Sequence, residues 1–527
     1  MDTKVVTENK VWYRPVELVC IVIVILLVSM LKFADVKSRA MLEHDEGITL
    51  LGVTGHQGEF TRLTETNLLD QWQEASAWQH YVSVSPDVPL RQIQHDLNLH
   101  DIHPPMYFWA LSVFLQQYGQ FDRLAYLLNG VFALAAMLMF YLLLRLQFAR
   151  FPALCLFAAL AFTPALAGPY AVLRQYELML CCGTGCLLML SHLVSAQAAP
   201  ARLSVFASLG FILFAYFGLM THAQFVLVLA GLCTAVVFLP VLWRIKFLAL
   251  GAAALAALLF VISNPEFFHT LERLQVQRQD ASVFEFLRRL MLVVDGLDEL
   301  VGLLPVTSAL LFAGLMLWAI WQCSLSFSGK KAEAFSNILP LFWLYSAVLV
   351  IGLLLLQYLS MNSPRHAMGG RYFLPLLPFF ILLVALWLML RRWLQYAWLP
   401  AVLLFSASAN LLAVEMQDRA GKEQQIAKAM QQAKTVLINN PTRGVLGPML
   451  PILPHGGQVA VMSSQVRPAK MLALSDRLQS GDILWLQPGH QVSADQCADQ
   501  LELLQHRLIL REIGEKSGVY LVLRRIE

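Results

Sequence analysis

Apolar positions along this chain come in long unbroken runs, and polar residues gather into a few separate stretches. A helix needs about 20 apolar residues to cross a hydrocarbon core of roughly 30 Å. On that measure the pattern predicts spans near 16–34, 124–146, 152–170, 174–194, 203–221, 223–243, 246–263, 300–322, 337–358, 372–390 and 396–414. A further apolar and aromatic run, Met106–Tyr118, is about 13 residues long, which is short for a span and suits a helix embedded in one leaflet. The first run, Val16–Phe33, is too long for a signal-peptide core and lacks a small-residue cleavage site, so it reads as a retained first span.

Composition agrees with this picture. The 527 residues are 58% hydrophobic and 14% charged, where a soluble chain carries about a quarter charged residues. The formal net charge of +3 leaves no basic stripe and argues against nucleic acid as a partner. Seven of the eight cysteines lie in apolar runs and only Cys497 lies in a polar stretch, so no disulfide framework is visible. There is no CxxC metal pair, no P-loop, no GxGxxG and no glycosylation sequon, the last of which fits a bacterial protein.

Charge then orients the spans, because cytoplasmic loops carry excess Lys and Arg. With Met106–Tyr118 not crossing and the N-terminus (Lys4, Lys10, Arg14) inside, the inner turns receive Arg145 and Arg150, Arg202, Arg244 and Lys246, Lys330 and Lys331, and Arg391 and Arg392. If Met106–Tyr118 crossed, all of these would face outward. The first arrangement gives about eleven spans and three outward pieces: 35–123, 264–299 and 415–527.

In the first piece, Asn67–Tyr81 reads as an amphipathic helix with Leu68, Leu69, Trp72, Ala75 and Trp78 on one side. The last piece changes composition near Met416. Gln417–Ile438 reads as a polar helix, followed by strand-like runs at Val459–Ser463, Ile483–Gln487, Leu508–Arg511 and Val519–Leu523 with Pro and Gly between them. The expected organisation is a membrane domain over 1–415, which includes the outer loop 35–123, and a small α/β domain over 416–527.

Candidate chemistry lies where the outward pieces meet the membrane. Short outer turns are normally poor in Arg, yet Arg174 and the group Arg365, His366 and Arg371 fall there. A charge at bilayer depth costs roughly 2.5–3.5 kcal/mol on insertion scales, so it usually has a partner or a task. Asp45 and Glu46 follow the first span in "EHDEG"; a carboxylate there suits a general base or a helix cap. His103 precedes two prolines in "DIHPPMYFW", which fix the entry into Met106–Tyr118.

Taken in order, "HDEG", "DIHPPMYFW", "FDRLAYLLNG", "RQYELML" and "GGRYFLPLLP" resemble the GT-C class of polyprenyl-phosphate-sugar glycosyltransferases. The pattern is similar to the protein O-mannosyltransferases and their bacterial relatives, among them the aminoarabinose transferase acting on lipid A. It covers roughly residues 10–415 and does not extend to the C-terminal piece.

The resemblance implies a mainly α, polytopic GT-C-like fold with outer juxtamembrane helices. It implies a bacterial inner-membrane enzyme that moves a sugar from a polyprenyl-phosphate donor to a hydroxyl of a lipid, glycan or protein acceptor, with inversion. The acidic residue of the first outer loop is the base, here Asp45 with Glu46 second, the "HDE" context leaving both open. Arg174, Arg371 and His103, with Arg123, hold the donor phosphate. No metal or other cofactor is expected. The C-terminal domain lies on the periplasmic side. Two other readings remain, a lipid-linked sugar flippase and a non-catalytic envelope assembly protein.

Overall fold

The computed structural model describes residues 13–526 except 64–65, 67, 86, 102, 119–124, 168–171, 196–200, 269–282, 303–304, 328–337, 361–369, 489–491 and 514–516. The chain forms two compact units. One comprises 1–34, 129–171 and 175–412, and the other 35–128, 172–174 and 413–527.

The first unit is helical. Eight described helices of the chain are long and apolar enough to cross a membrane, and three shorter apolar helices (Arg150–Ala161, Ser204–Leu219 and Phe225–Phe238) fall where the remaining spans were expected. The protein is a multi-pass membrane protein. Helix Tyr176–Ser195 is the most enclosed, with nearly every side chain buried. The Trp343 indole on helix Ile338–Ser360 donates to Ser191 Oγ on it at 2.9 Å. In contrast, the first helix exposes Val16, Leu26, Met30 and Phe33, an apolar face suited to lipid.

Two glutamates of this unit have cationic neighbours. Glu177 accepts from Asn129 Nδ2 at 3.1 Å and lies 3.8 Å from Lys32 Nζ. Glu17 faces Arg145 and Arg150 at 3.4 and 3.1 Å and accepts from the Tyr141 hydroxyl.

The second unit is built on a six-stranded sheet: β1 (Trp72–Glu74), β2 (Thr435–Ile438), β3 (Gln458–Val461), β4 (Ile483–Trp485), β5 (Leu508–Glu512) and β6 (Val519–Arg525), in the order β1-β3-β2-β4-β6-β5. The central pairs β3–β2 and β2–β4 are parallel, and the outer pairs are antiparallel. Leu437, Ala460, Leu484 and Val522 are buried within it.

Two expectations need correction here. Gln417–Ile438 is not one helix. Helices end at Gly421 and Gln432, and "TVLI" becomes β2, the central strand. A short run of β-branched and apolar residues at the end of a helical pattern carries no period of its own, so its pairing with β3 and β4 decides its state. Nor is Asn67–Tyr81 an amphipathic helix. Trp72–Glu74 is an edge strand, Ala75–Gln79 is a single short helix, and Asn67 lies outside the described residues. Trp78 is fully buried and its indole donates to Val459 O at 3.4 Å, so this tryptophan packs on the sheet of its own unit.

The pairing of β1 with β3 ties the first outer loop to the C-terminal region within one unit. A second tie is closer. Helix His44–Val53 lies against helix Arg443–Met449 at Gly47, where a Cβ would run into the Pro448 ring and come within 2.7 Å of the Gly447 carbonyl carbon. Only a glycine permits that approach. Gly47→Ala is therefore expected to destabilise the protein by about 1–3 kcal/mol, the usual cost of overpacking. Thermal unfolding of the purified variant measures it, and an unchanged transition would show that the two helices separate freely.

Helix Met106–Tyr118 has the bounds that the sequence predicts. It is 13 residues long, about 20 Å at 1.5 Å per residue and shorter than a hydrocarbon core.

Candidate active site

The site is built around the start of helix His44–Val53. Glu43 is the N-cap and Glu46 stands at N3 as a capping box, in which the Glu43 amide donates to Glu46 Oε2 at 2.8 Å. This fixes the first turn and places Asp45 between the two, at the positive end of the helix dipole.

The neighbouring carboxylates differ sharply in their surroundings. Glu46 is fully buried. Its Oε1 accepts from Arg39 Nη1 at 3.3 Å, Tyr126 Oη at 2.8 Å and the Leu173 amide at 3.0 Å. Arg39 in turn donates to Asp35 Oδ2 at 3.2 Å and Glu43 Oε1 at 3.2 Å, and its guanidinium lies 5.7 Å from the centre of the Tyr126 ring. Arg419 closes the far side, with Nη1 donating to Asp35 Oδ1 at 2.6 Å. Glu46 is thus a member of a buried charge network.

Asp45 faces a different cation. Its side chain is 11% exposed, and Oδ2 lies 3.8 Å from Arg174 Nε, farther than a direct hydrogen bond. Arg174 is itself buried and donates through Nη1 to Thr49 Oγ1 at 3.1 Å, one turn along the same helix. Thr49 Oγ1 donates to the Asp45 carbonyl at 3.0 Å, so the arginine is set on the helix that carries the carboxylate.

His103 lies in the same electrostatic field. Its Nε2 is 3.8 Å from Asp101 Oδ1, and Arg443 approaches Asp101 at 3.6 Å while donating to His100 O at 2.9 Å. Burial pushes the His103 imidazole down to about 4; Asp101 opposes this shift, and Arg174 and Arg443 add to it. His103 is therefore neutral at neutral pH rather than a cation.

The sign of its linkage follows. The folded-state value is depressed, so the unfolded chain binds the extra proton between about 6.5 and 4. The contribution of His103 to stability is complete above 6.5 and is lost as pH falls through that window. His103→Gln is expected to flatten the acid limb of a stability-against-pH profile over this range. An unaltered limb would mean that the imidazole is not buried neutral.

The structure thus brings Asp45, Glu46, Arg174 and His103 into one unit, with Asp45 and Arg174 as neighbours. Arg123, Arg365, His366 and the Arg371 side chain lie outside the described residues; the Arg371 backbone is the second residue of the 3-10 turn Gly370–Leu376. Asp35, Arg39, Tyr126, Asp101, Arg419 and Arg443 were not singled out from the sequence. For Arg39 a signal existed, because an arginine just beyond the outer end of the first span breaks the sidedness rule.

No known family's sequence profile matches this chain, and no curated protein does. Solved structures do match. The crystal structure of ArnT from Cupriavidus metallidurans bound to undecaprenyl phosphate is similar over 95% of this chain and 97% of that one, at 13% identity and a TM-score of 0.53. The same protein in the apo state gives 95%, 97%, 13% and 0.51. This chain therefore has the polytopic, GT-C-like membrane fold of ArnT.

Proposed function

We propose that this protein transfers a sugar from a polyprenyl-phosphate donor to an acceptor hydroxyl on the outer face of a bacterial inner membrane. The observation that carries the reading is the Asp45–Arg174 pair at 3.8 Å, set on one helix beside a glutamate tied into a separate network. The likeness to a fold solved with undecaprenyl phosphate supports a donor of that class.

Asp45 takes the proton of the acceptor hydroxyl, and the oxygen attacks the anomeric carbon on the side opposite the phosphate. The bond from that carbon to the phosphate oxygen breaks with inversion through an oxocarbenium-like transition state. The polyprenyl phosphate leaves with added negative charge, which the planar guanidinium of Arg174 stabilises through charge-assisted hydrogen bonds. Until donor binds, Arg174 offsets the charge of Asp45. His103, as a neutral imidazole, and Asp101 set the polar wall of the site. In this reading Glu46 holds the first turn in place, and its hydrogen bonds to Arg39, Tyr126 and the Leu173 amide support giving the proton to Asp45.

The flippase reading predicts ionisable residues at mid-membrane depth and paired broken helices. Glu177 lies in the first turn of helix Tyr176–Ser195 rather than at its middle, and it faces Asn129 and Lys32. That pairing favours a packing role.

The test is to delete the gene in its host, complement with wild type or Asp45→Asn, and quantify polyprenyl-phosphate sugars in lipid extracts by mass spectrometry. One glycosyl phospholipid is expected to accumulate in the deletion and to stay high with Asp45→Asn. If no such lipid changes in any strain, the transferase reading fails.

A further inference from the structure

A second cluster of chemically active side chains lies in the first outer loop, away from the acidic turn. His56 caps helix Gln57–Thr61, Glu59 sits in that helix, and His80 begins the 3-10 turn His80–Val82. His56 Nδ1 is 3.4 Å from Glu59 Oε2, and His80 Nε2 is 3.8 Å from the same oxygen. The two imidazole rings are 4.3 Å apart between centres. One donor atom from each of the three residues lies within 4.8 Å of the others.

We propose that His56, Glu59 and His80 form a binding site for a zinc-class divalent cation that staples two segments of the first outer loop. Two imidazole nitrogens and one carboxylate oxygen are the donor set that zinc takes when three protein ligands leave a fourth position to water. With metal–ligand bonds near 2.0–2.2 Å, neighbouring donors of a tetrahedral ion stand roughly 3.4 Å apart. The observed separations of 3.4 and 3.8 Å already approach that value, so the site closes with side-chain rotations alone.

An ion pair capping the helix would account for His56 and Glu59, since they are three residues apart. It does not account for His80, which a different segment delivers to the same oxygen.

The backbone on both sides is held firmly. Next to Glu59, the Gly58 amide donates to Asp96 Oδ2 at 3.3 Å, and a Cβ on Gly58 would lie 2.9 Å from Asp96 Oδ1. Next to His80, Tyr81 is buried, packs edge-on against Phe60 at 5.3 Å and accepts from Thr54 Oγ1 through its carbonyl at 2.8 Å. The ligands are thus carried by residues fixed before any ion arrives, which keeps the entropy cost of binding small. Asp96 adds a second carboxylate to the local field, and that field favours a cation.

The side chains of Glu59 and His80 are half exposed, at 51% and 53%, which leaves an open path for an ion from solvent. Asp45 is at the first turn of helix His44–Val53, whereas His56 follows its last turn. At 1.5 Å per residue the two ends are about 15 Å apart, so the ion serves the loop and takes no part in proton transfer at Asp45.

The test uses full-length protein purified in detergent with a tag free of histidine, equilibrated with zinc chloride and passed through a desalting column. Metal analysis is expected to find about one zinc per chain in wild type and a loss of at least tenfold in His56→Ala/His80→Ala. Zinc is expected to raise the melting temperature of wild type and leave that of the double variant unchanged. His80→Ala alone, at a half-exposed position, removes a ligand without opening the core and gives the same result if the double variant fails to fold. A titration with cobalt(II) is expected to give the intense visible absorption of a tetrahedral centre in wild type only. Wild type that retains no zinc, or variants that retain as much as wild type, would overturn the site and leave His56–Glu59 as a helix-capping ion pair.

Discussion

Replacing Asp45 by Asn is expected to lower sugar transfer by about 10²–10⁴-fold, the range ordinarily supplied by a positioned general base. The change removes the proton acceptor and alters little else. The side chain keeps its volume and its place in the first turn of helix His44–Val53, between the two residues of the capping box. Expression and melting temperature should therefore match wild type, and donor should still bind, because Arg174 remains seated on Thr49. The measurement is single-turnover transfer with purified protein in lipid nanodiscs, with donor binding followed separately. Turnover near wild type would remove Asp45 from the chemistry. Loss of turnover together with loss of folding would show that Asp45 is structural.

Glu46→Gln is expected to fail in the opposite way, by destabilising the protein about 3–5 kcal/mol, the cost of breaking a buried ion pair by removing one partner. Glu46 is fully buried, and one of its oxygens accepts three hydrogen bonds. An amide in its place offers a single accepting oxygen and turns its N–H groups toward the Glu43 amide, itself a donor. Arg39 would lose one of its three carboxylate partners while remaining buried and charged. The expected readout is a large drop in yield and in melting temperature. Such of the variant as folds should keep measurable turnover, since Asp45 is intact. A stable Glu46→Gln protein without turnover would reverse the two assignments and make Glu46 the base. The pair of variants thus separates a carboxylate that reacts from one that builds the place where reaction occurs.

The two residues are adjacent in sequence and were both candidates there for one role, Asp45 first and Glu46 second. Nothing in "HDEG" distinguishes them. The distinction arises because successive positions on a helix point about 100° apart. One carboxylate therefore turns into the Arg39, Tyr126 and Leu173 network and the other turns toward Arg174. Arg443 and Asp101 show the same limit over a longer distance. They meet at 3.6 Å although more than three hundred residues separate them, and no local pattern foretells that.

What the sequence determined by itself was the helical, multi-pass character of the membrane part. Lipid offers the backbone no hydrogen-bond partner, so each crossing must be one long apolar helix, and both the length and the apolar character are written residue by residue. Helix Met106–Tyr118 was legible for a related reason, because two prolines and a change to polar residues bound it on either side. Tertiary structure decided the rest. "TVLI" became a central strand and Trp72–Glu74 an edge strand because distant segments pair with them, and four- and three-residue stretches are too short to carry a period of their own. The same holds for the site: a carboxylate's task depends on which donors reach it, and at this helix those donors come from parts of the chain that only folding brings together.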